Sequence, residues 1–275
     1  MATKMKKKLR RELFVGAAAL VLAVGVLAVV AVILPGPKTT PGGVTPRETV
    51  LAPNPFGETD FQYDGKYLTC LTQPSVLGID VSSHQGDIDW QKVADAGVEF
   101  AMIRVGYRGY ETGLLNEDAH ARNNYAGARA AGLQVGAYFF SQAVTPEEAL
   151  EEAVFVLEQT QDWELELPVV FDWEHMGQGS RTAQVSADTV MDCIRTFNDR
   201  ITQAGHSPML YFNPYHAEHF LDLEALADYP FWLALYTDRM DYDYAVDMWQ
   251  YTSEGVVPGI GGPVDINLWF PEKTE

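Results

Sequence analysis

From Val76 onward, short apolar segments recur at a spacing that leaves room for a helix between most of them. Candidate strands fall at 76–82, 98–105, 133–140, 167–174, 207–213, 231–237, 246–251 and 263–268. Helical patterns lie between the first five, at 89–97, 117–131, 145–160 and 184–204, with a further one near 215–227. Gly97, Gly132 and Gly205 stand where helices should stop, because glycine tolerates the left-handed backbone of a helix C-terminus. Thr145-Pro146-Glu147-Glu148 supplies an N-cap, a first-turn proline and acids favoured by the helix dipole. Strands alternating with helices predict an α/β fold with a mainly parallel sheet. Eight strands in about 195 residues predict a TIM-like (β/α) barrel in an irregular form, because the last connections lack room for full helices.

Side-chain alternation says what such a barrel would hold inside. Gly78, Asp80 and Ser82 oppose Ile79 and Val81, while Val170, Asp172 and Glu174 oppose Phe171 and Trp173. Asp265 and Asn267 oppose Val264, Ile266 and Leu268. Arg104 sits between Ile103 and Val105, and Tyr138 between Ala137 and Phe139. Bulky apolar residues would therefore face the helices, and polar groups would converge at the C-terminal rim, where barrels of this kind place their chemistry. Residues i and i+2 of a strand lie roughly 6.5–7 Å apart on one face, so Asp172 and Glu174 point the same way. Paired acids projecting into one space are the minimum equipment for breaking a glycosidic bond.

About 75 residues precede this pattern. Residues 1–12 form a basic segment containing Lys4, Lys6, Lys7, Lys8, Arg10 and Arg11, and residues 13–34 run without a charge. That length suffices for one transmembrane helix, and the positive-inside rule puts the N-terminus in the cytoplasm and the remainder outside. The alternative is secretion after signal cleavage, with Val29-Val30-Ala31 as a weak cleavage site; a 22-residue apolar run is long for that role. Residues 35–73 carry Pro35, Pro37, Pro41, Pro46, Pro53 and Pro55, and read as an extracellular linker reaching on the order of 100 Å at most. Its end, with Phe61, Tyr63 and Tyr67, can pack as an extension on the domain at 74–275.

Residues 1–38 take seven of the 19 Lys and Arg and one of the 38 Asp and Glu. The rest carries 12 basic and 37 acidic groups, a net charge of −25. Such a surface repels nucleic acid and anionic headgroups, so the expected contact with a membrane is the N-terminal anchor alone. An extracellular setting permits a Cys70–Cys193 disulfide, but two cysteines make no framework, and the apolar helical surroundings of Cys193 suit a buried thiol. His216-Ala217-Glu218-His219 lacks the zinc-protease spacing. No His or Cys cluster has metal-ligand spacing, so neither a metal nor a cofactor is expected.

Several independent motifs in this order carry a resemblance: GIDVSSHQGDIDW at 78–90, FAMIRVGYRG at 100–109, GAYFFS at 136–141, PVVFDWE at 168–174, YFN at 211–213, FWLALYT at 231–237, MWQYT at 248–252 and VDIN at 264–267. The chain resembles the family 25 glycoside hydrolases over roughly Val76 to Phe270. The resemblance implies a flattened barrel with about five helices. It also implies hydrolysis of the β-1,4 bond between N-acetylmuramic acid and N-acetylglucosamine in peptidoglycan glycan strands, by a chain expected to act as a monomer. The family's four acidic positions are filled by Asp80, Asp172, Glu174 and Asp265. Phe139 departs from the pattern, since many members have His there.

On this reading Glu174 is the general acid, its pKa raised by burial and the neighbouring Asp172; the plainer role is a solvated strand-end carboxylate. Asp172 either attacks the anomeric carbon or orients the substrate's own N-acetyl group, and the i, i+2 spacing favours the second. Asp80 and Asp265 would bind sugar hydroxyls and shape the field, although Asp80 could simply cap its turn. Arg104, Tyr138, Tyr211, Asn213, Trp232, Tyr236, Trp249, Gln250 and Asn267 are the substrate-binding candidates. The aromatics among them serve equally well as packing. An Arg inside a barrel needs a carboxylate partner, either a site acid or an acidic group of the substrate. Two rivals remain: a catalytically silent wall-binding module, and a chitinase-like hydrolase of N-acetylglucosamine polymers.

Overall fold

The computed structural model describes residues 51–271, within a compact unit spanning Thr49–Glu275. The basic segment 1–12, the apolar run 13–34 and the first part of the linker lie outside the described residues. Among the described residues no helix is long and apolar enough to cross a membrane.

Eight strands close a barrel: β3 (Val76–Val81), β4 (Phe100–Arg108), β6 (Gln134–Ser141), β7 (Val169–Trp173), β8 (Pro208–Phe212), β9 (Phe231–Ala234), β10 (Met248–Gly255) and β11 (Val264–Trp269). Neighbours pair in parallel from β3 through β4, β6, β7, β8 and β9 to β10. The last strand reverses: β11 is antiparallel to both β10 and β3, with Asp265 opposite Asp80 and Trp269 opposite Val76. A short strand β5 (Leu115–Glu117) extends the sheet beside the end of β4. Before the barrel, β1 (Phe61–Asp64) and β2 (Tyr67–Cys70) form a hairpin.

Five helices follow the early strands: α1 (Trp90–Asp95), α2 (Ala121–Ala130), α3 (Pro146–Gln159), α4 (Ala187–Gln203) and α5 (Pro214–Phe220). Thr145 caps α3 by accepting from the Glu148 N–H at 3.3 Å, with Pro146 in the first turn. Gly97, Gly132 and Gly205 all take positive φ just beyond helix ends, the backbone that side chains disfavour. The helix expected over 117–131 begins only at Ala121. Leu115–Glu117 pairs with β4, and the buried Asp118 accepts from the Ser83 and His120 N–H groups. The pattern near 215–227 breaks at Leu221, which is extended, before a single 3-10 turn at Glu224–Leu226.

Two apolar layers hold the barrel. Outside, Ile79, Val81, Phe139, Phe171 and Phe212 pack against Val156, Ile194 and Phe197. Inside, Phe100, Met102, Leu167, Val170, Met209, Trp232 and Met248 fill the lower half. Polar residues are therefore confined to the upper half of the interior, and the lower half is a plug. Gly78 makes that plug possible, because a Cβ there would lie 2.3 Å from the Phe100 ring. The hairpin packs on the outer wall: Phe61 meets the Trp249 ring edge-on at 4.9 Å, and the Leu68 N–H donates to the Tyr251 hydroxyl at 3.3 Å. Both cysteines are free, Cys193 buried on α4 and Cys70 half-buried on β2.

Asp89 accepts from the Lys92 N–H at the start of α1 and pairs with the Lys92 ammonium at 2.8 Å. Asp89→Asn keeps a capping oxygen and should affect turnover only mildly. Assayed beside the variants discussed below, a loss as large as theirs would move the active centre.

Candidate active site

The mouth of the barrel is organised around Asp80, at the end of β3. Its Oδ2 accepts from Gln250 Nε2 and Asn267 Nδ2, each at 2.8 Å. The Trp232 indole N–H donates to Asn267 Oδ1 at 2.8 Å, and an indole can only donate. That fixes the Asn267 amide with its NH2 toward Asp80. Gln250 Oε1 in turn accepts from the Tyr211 and Tyr236 hydroxyls at 2.9 and 3.0 Å. Groups from β8, β9, β10 and β11 thus converge on one carboxylate.

The other three acids join it. Asp172, the penultimate residue of β7, is buried, and its Oδ1 has no hydrogen-bond partner among the described residues. Burial holds its pKa well above the carboxylate range, with the Glu174 and Asp80 charges adding and Arg104 opposing. Glu174 lies just past the strand end, half-buried, and its pKa is raised by burial and then by Asp265. Burial also raises Asp80, with Asp265 adding. Asp265 is pushed up to about 6, chiefly by burial. The charges of Glu174, Asp80 and Asp265 all bear on Asp172, and that of Asp265 bears on Asp80 and Glu174, so acids from the ends of three strands face one space.

Arg104 stands beside them. Its Nε and Nη2 both meet Asp118 Oδ2 at 2.8 Å, Nη2 reaches Ser83 Oγ at 3.2 Å, and the guanidinium lies 5.3 Å from the Tyr107 ring centroid. Its carboxylate partner is therefore Asp118, which falls within the helical pattern expected over 117–131 but precedes the helix itself. Tyr138 is paired with Arg104 across β4 and β6, and its pKa is raised well above the usual range by burial and Asp80. Tyr236 is 55% exposed on the rim, where a ligand can reach its ring.

Three substrate-binding candidates need correction. Trp249 is wholly buried on the outer wall, its indole N–H donating to the Leu235 carbonyl at 2.8 Å. Trp232 does face inward, but it is 1% exposed and braces Asn267 from below, so no ring face is open to a sugar. Asn213 accepts from the His216 N–H at 2.9 Å as the N-cap of α5. The Phe139 departure also falls outside the cleft, since that ring is buried in the outer core against Phe155. Among the described residues no group of three His, Cys, Asp or Glu is placed to hold a metal ion.

The raised Asp265 pKa has a consequence for stability. A carboxyl whose folded pKa exceeds its unfolded value contributes stability below the unfolded value, near 4, and loses it as pH rises through about 6. Asp265→Asn removes that loss. Its melting temperature should exceed wild type above pH 6, by on the order of 1–2 kcal/mol of stability, and converge with it below pH 4. A variant less stable than wild type at pH 7 would show that Asp265 is held by attraction instead.

A closed βα barrel with acids gathered at its C-terminal rim has the equipment of a glycosidase site. The sequence profile of the glycosyl hydrolases family 25 matches residues 79–260, and the chain belongs to that family. An uncharacterised Escherichia coli protein, YegX, is 33% identical over 209 residues, spanning 71% of this chain and 70% of its own. The autolytic lysozyme of Clostridium acetobutylicum is 28% identical over 193 residues, covering 69% of this chain and 54% of that protein. Among solved structures, the modular autolysin LytC of Streptococcus pneumoniae, in complex with a synthetic peptidoglycan ligand, superposes with a TM-score of 0.64 at 26% identity. That match covers 76% of this chain and 52% of LytC. The chain thus spans about half the length of those two autolysins. It is a glycoside hydrolase.

Proposed function

We propose that this protein is a muramidase that cleaves the β-1,4 bond between N-acetylmuramic acid and N-acetylglucosamine in peptidoglycan. The reading is carried by the convergence of Asp80, Asp172, Glu174 and Asp265 at one barrel mouth. It is supported by the likeness to an autolytic lysozyme and to an autolysin solved with a peptidoglycan ligand.

Glu174, half-buried at the strand end and raised in pKa, holds a proton to give to the leaving glycosidic oxygen. Asp172 sits deeper, with a buried, unpartnered Oδ1 that suits the N–H of the substrate's N-acetyl group. Fixing that group directs its carbonyl oxygen onto the anomeric carbon, so the substrate supplies the nucleophile; such enzymes are recognised exceptions to the two-carboxylate scheme. Asp80 is committed to Gln250 and Asn267 through one oxygen, leaving Oδ1 for a sugar hydroxyl. Arg104, Tyr138 and Tyr236 line the approach.

Mass spectrometry of wall digests tests the bond choice. New reducing ends at muramic acid support the assignment. Ends at N-acetylglucosamine, or cleavage of chitin oligomers in preference to wall, would replace it with the chitinase-like activity, and binding without cleavage would leave a wall-binding module.

We further propose that residues 13–34 anchor the chain in the cell membrane, with the barrel outside. Membrane fractionation with protease protection reads this directly. Release of a chain starting near residue 32 would mean that the segment is a cleaved signal.

A further inference from the structure

The peptide unit that follows Glu174 is gripped from both sides. β7 ends at Trp173, so the carbonyl of Glu174 lies beyond the strand pairing. Instead, the Glu174 carbonyl accepts from Gln142 Nε2 at 2.7 Å and from Thr182 Oγ1 at 3.4 Å. The N–H of the same unit, belonging to His175, donates to His216 Nε2 at 3.3 Å. Gln142 is 0% and His216 4% exposed, and they come from distant elements, the turn after β6 and the helix α5.

Both grips are themselves fixed. Gln142 Nε2 also donates to the Ser141 carbonyl at 3.0 Å. Its turn is pinned by Ser141 Oγ donating to Glu152 at 2.6 Å and by the Trp173 indole N–H donating to the Ala143 carbonyl at 2.9 Å. His216 is placed by the Asn213 cap and wedged among Trp173, Tyr215 and Phe220, with ring centroids 5.8 to 6.3 Å away. Because Nε2 accepts, the ring proton sits on Nδ1. Burial, with His175 adding, pushes the His216 pKa down to about 4, so the ring keeps its accepting lone pair at neutral pH.

We infer that Gln142 and His216 are positioning residues that aim the general acid by clamping the Glu174–His175 peptide unit. The inference rests on the reading of Glu174 as that acid. A carboxyl on an unclamped strand end would sweep past its target. A misplacement near 1 Å can lower turnover about 100-fold, without changing how the sugar is held.

The test compares His216→Phe, which keeps the ring volume but cannot accept, with His216→Gln, whose amide oxygen can. Turnover and KM are measured on soluble glycan fragments across pH, alongside melting temperature and the 15N–1H resonance of the His175 amide. His216→Phe should lower kcat by up to about 100-fold with KM within about twofold, shift the alkaline limb and move the His175 resonance. His216→Gln should recover most of each. Gln142→Met tests the other side, and repeats the kcat-selective loss even if His216→Phe fails to fold. Unchanged kcat in His216→Phe, equal impairment in His216→Gln, or a loss carried by KM would overturn the clamp. If Glu174→Gln is inactive while His216→Phe and Gln142→Met are not, the clamp alone falls. A fully active Glu174→Gln removes the acid assignment and the clamp with it.

Discussion

Glu174→Gln should lower turnover on peptidoglycan by about 10²–10⁴-fold, the range in which a positioned general acid contributes, while the protein still folds and binds wall. The amide keeps the shape of the side chain and loses only the transferable proton. Wild-type activity should fall on the alkaline side as Glu174 deprotonates. That limb lies above the ordinary glutamate range because burial and the Asp265 charge both disfavour the carboxylate. Clearing of wall suspensions by purified variants is the assay. Equal clearing by Glu174→Gln and wild type would place the acid elsewhere.

Asp172→Asn should be nearly as damaging, about 10²–10³-fold in kcat, the scale of removing one preorganised electrostatic partner of a transition state. The asparagine NH2 can still fill the space beside Glu174, but it adds a donor where the substrate amide needs an acceptor. The charge that balances the developing positive oxazoline-like ring is lost as well. Repulsion between two carboxylates is mutual, so neutralising residue 172 should also move the alkaline limb downward. Loss of turnover with an unmoved limb would separate the two acids in space. A variant within threefold of wild type, roughly 0.7 kcal/mol, would end the proposed role.

The eight strands were legible because each alternates and each ends near glycine, proline or a cap. Their inward faces were legible too, from Asp80, Asp172 and Asn267. The two tryptophans show where reading stopped short. Trp232 pairs with Tyr211 and Met248, all facing in. Gln250 faces in as well, so Trp249 beside it had to face out: a one-residue step changes face. Alternation within β10 contained that answer. Asn213 was equally readable, since Asn followed by Pro marks a helix start.

Other features had no local signature. Asp118 serves Arg104 and Ser83, partners 14 and 35 residues away, and the short β5 before it follows neither period. His216 stood out in the sequence only as part of a failed metal motif. Its partner is a backbone N–H 41 residues away, which no side-chain pattern announces.

The reversal of β11 decides how this barrel closes. Trp269 comes to rest beside Val76, so the first strand of the barrel begins where the last one ends, on the side opposite the acids. Because β11 runs backwards, Asp265 stands near its beginning rather than its end, yet still lies opposite Asp80 at the mouth.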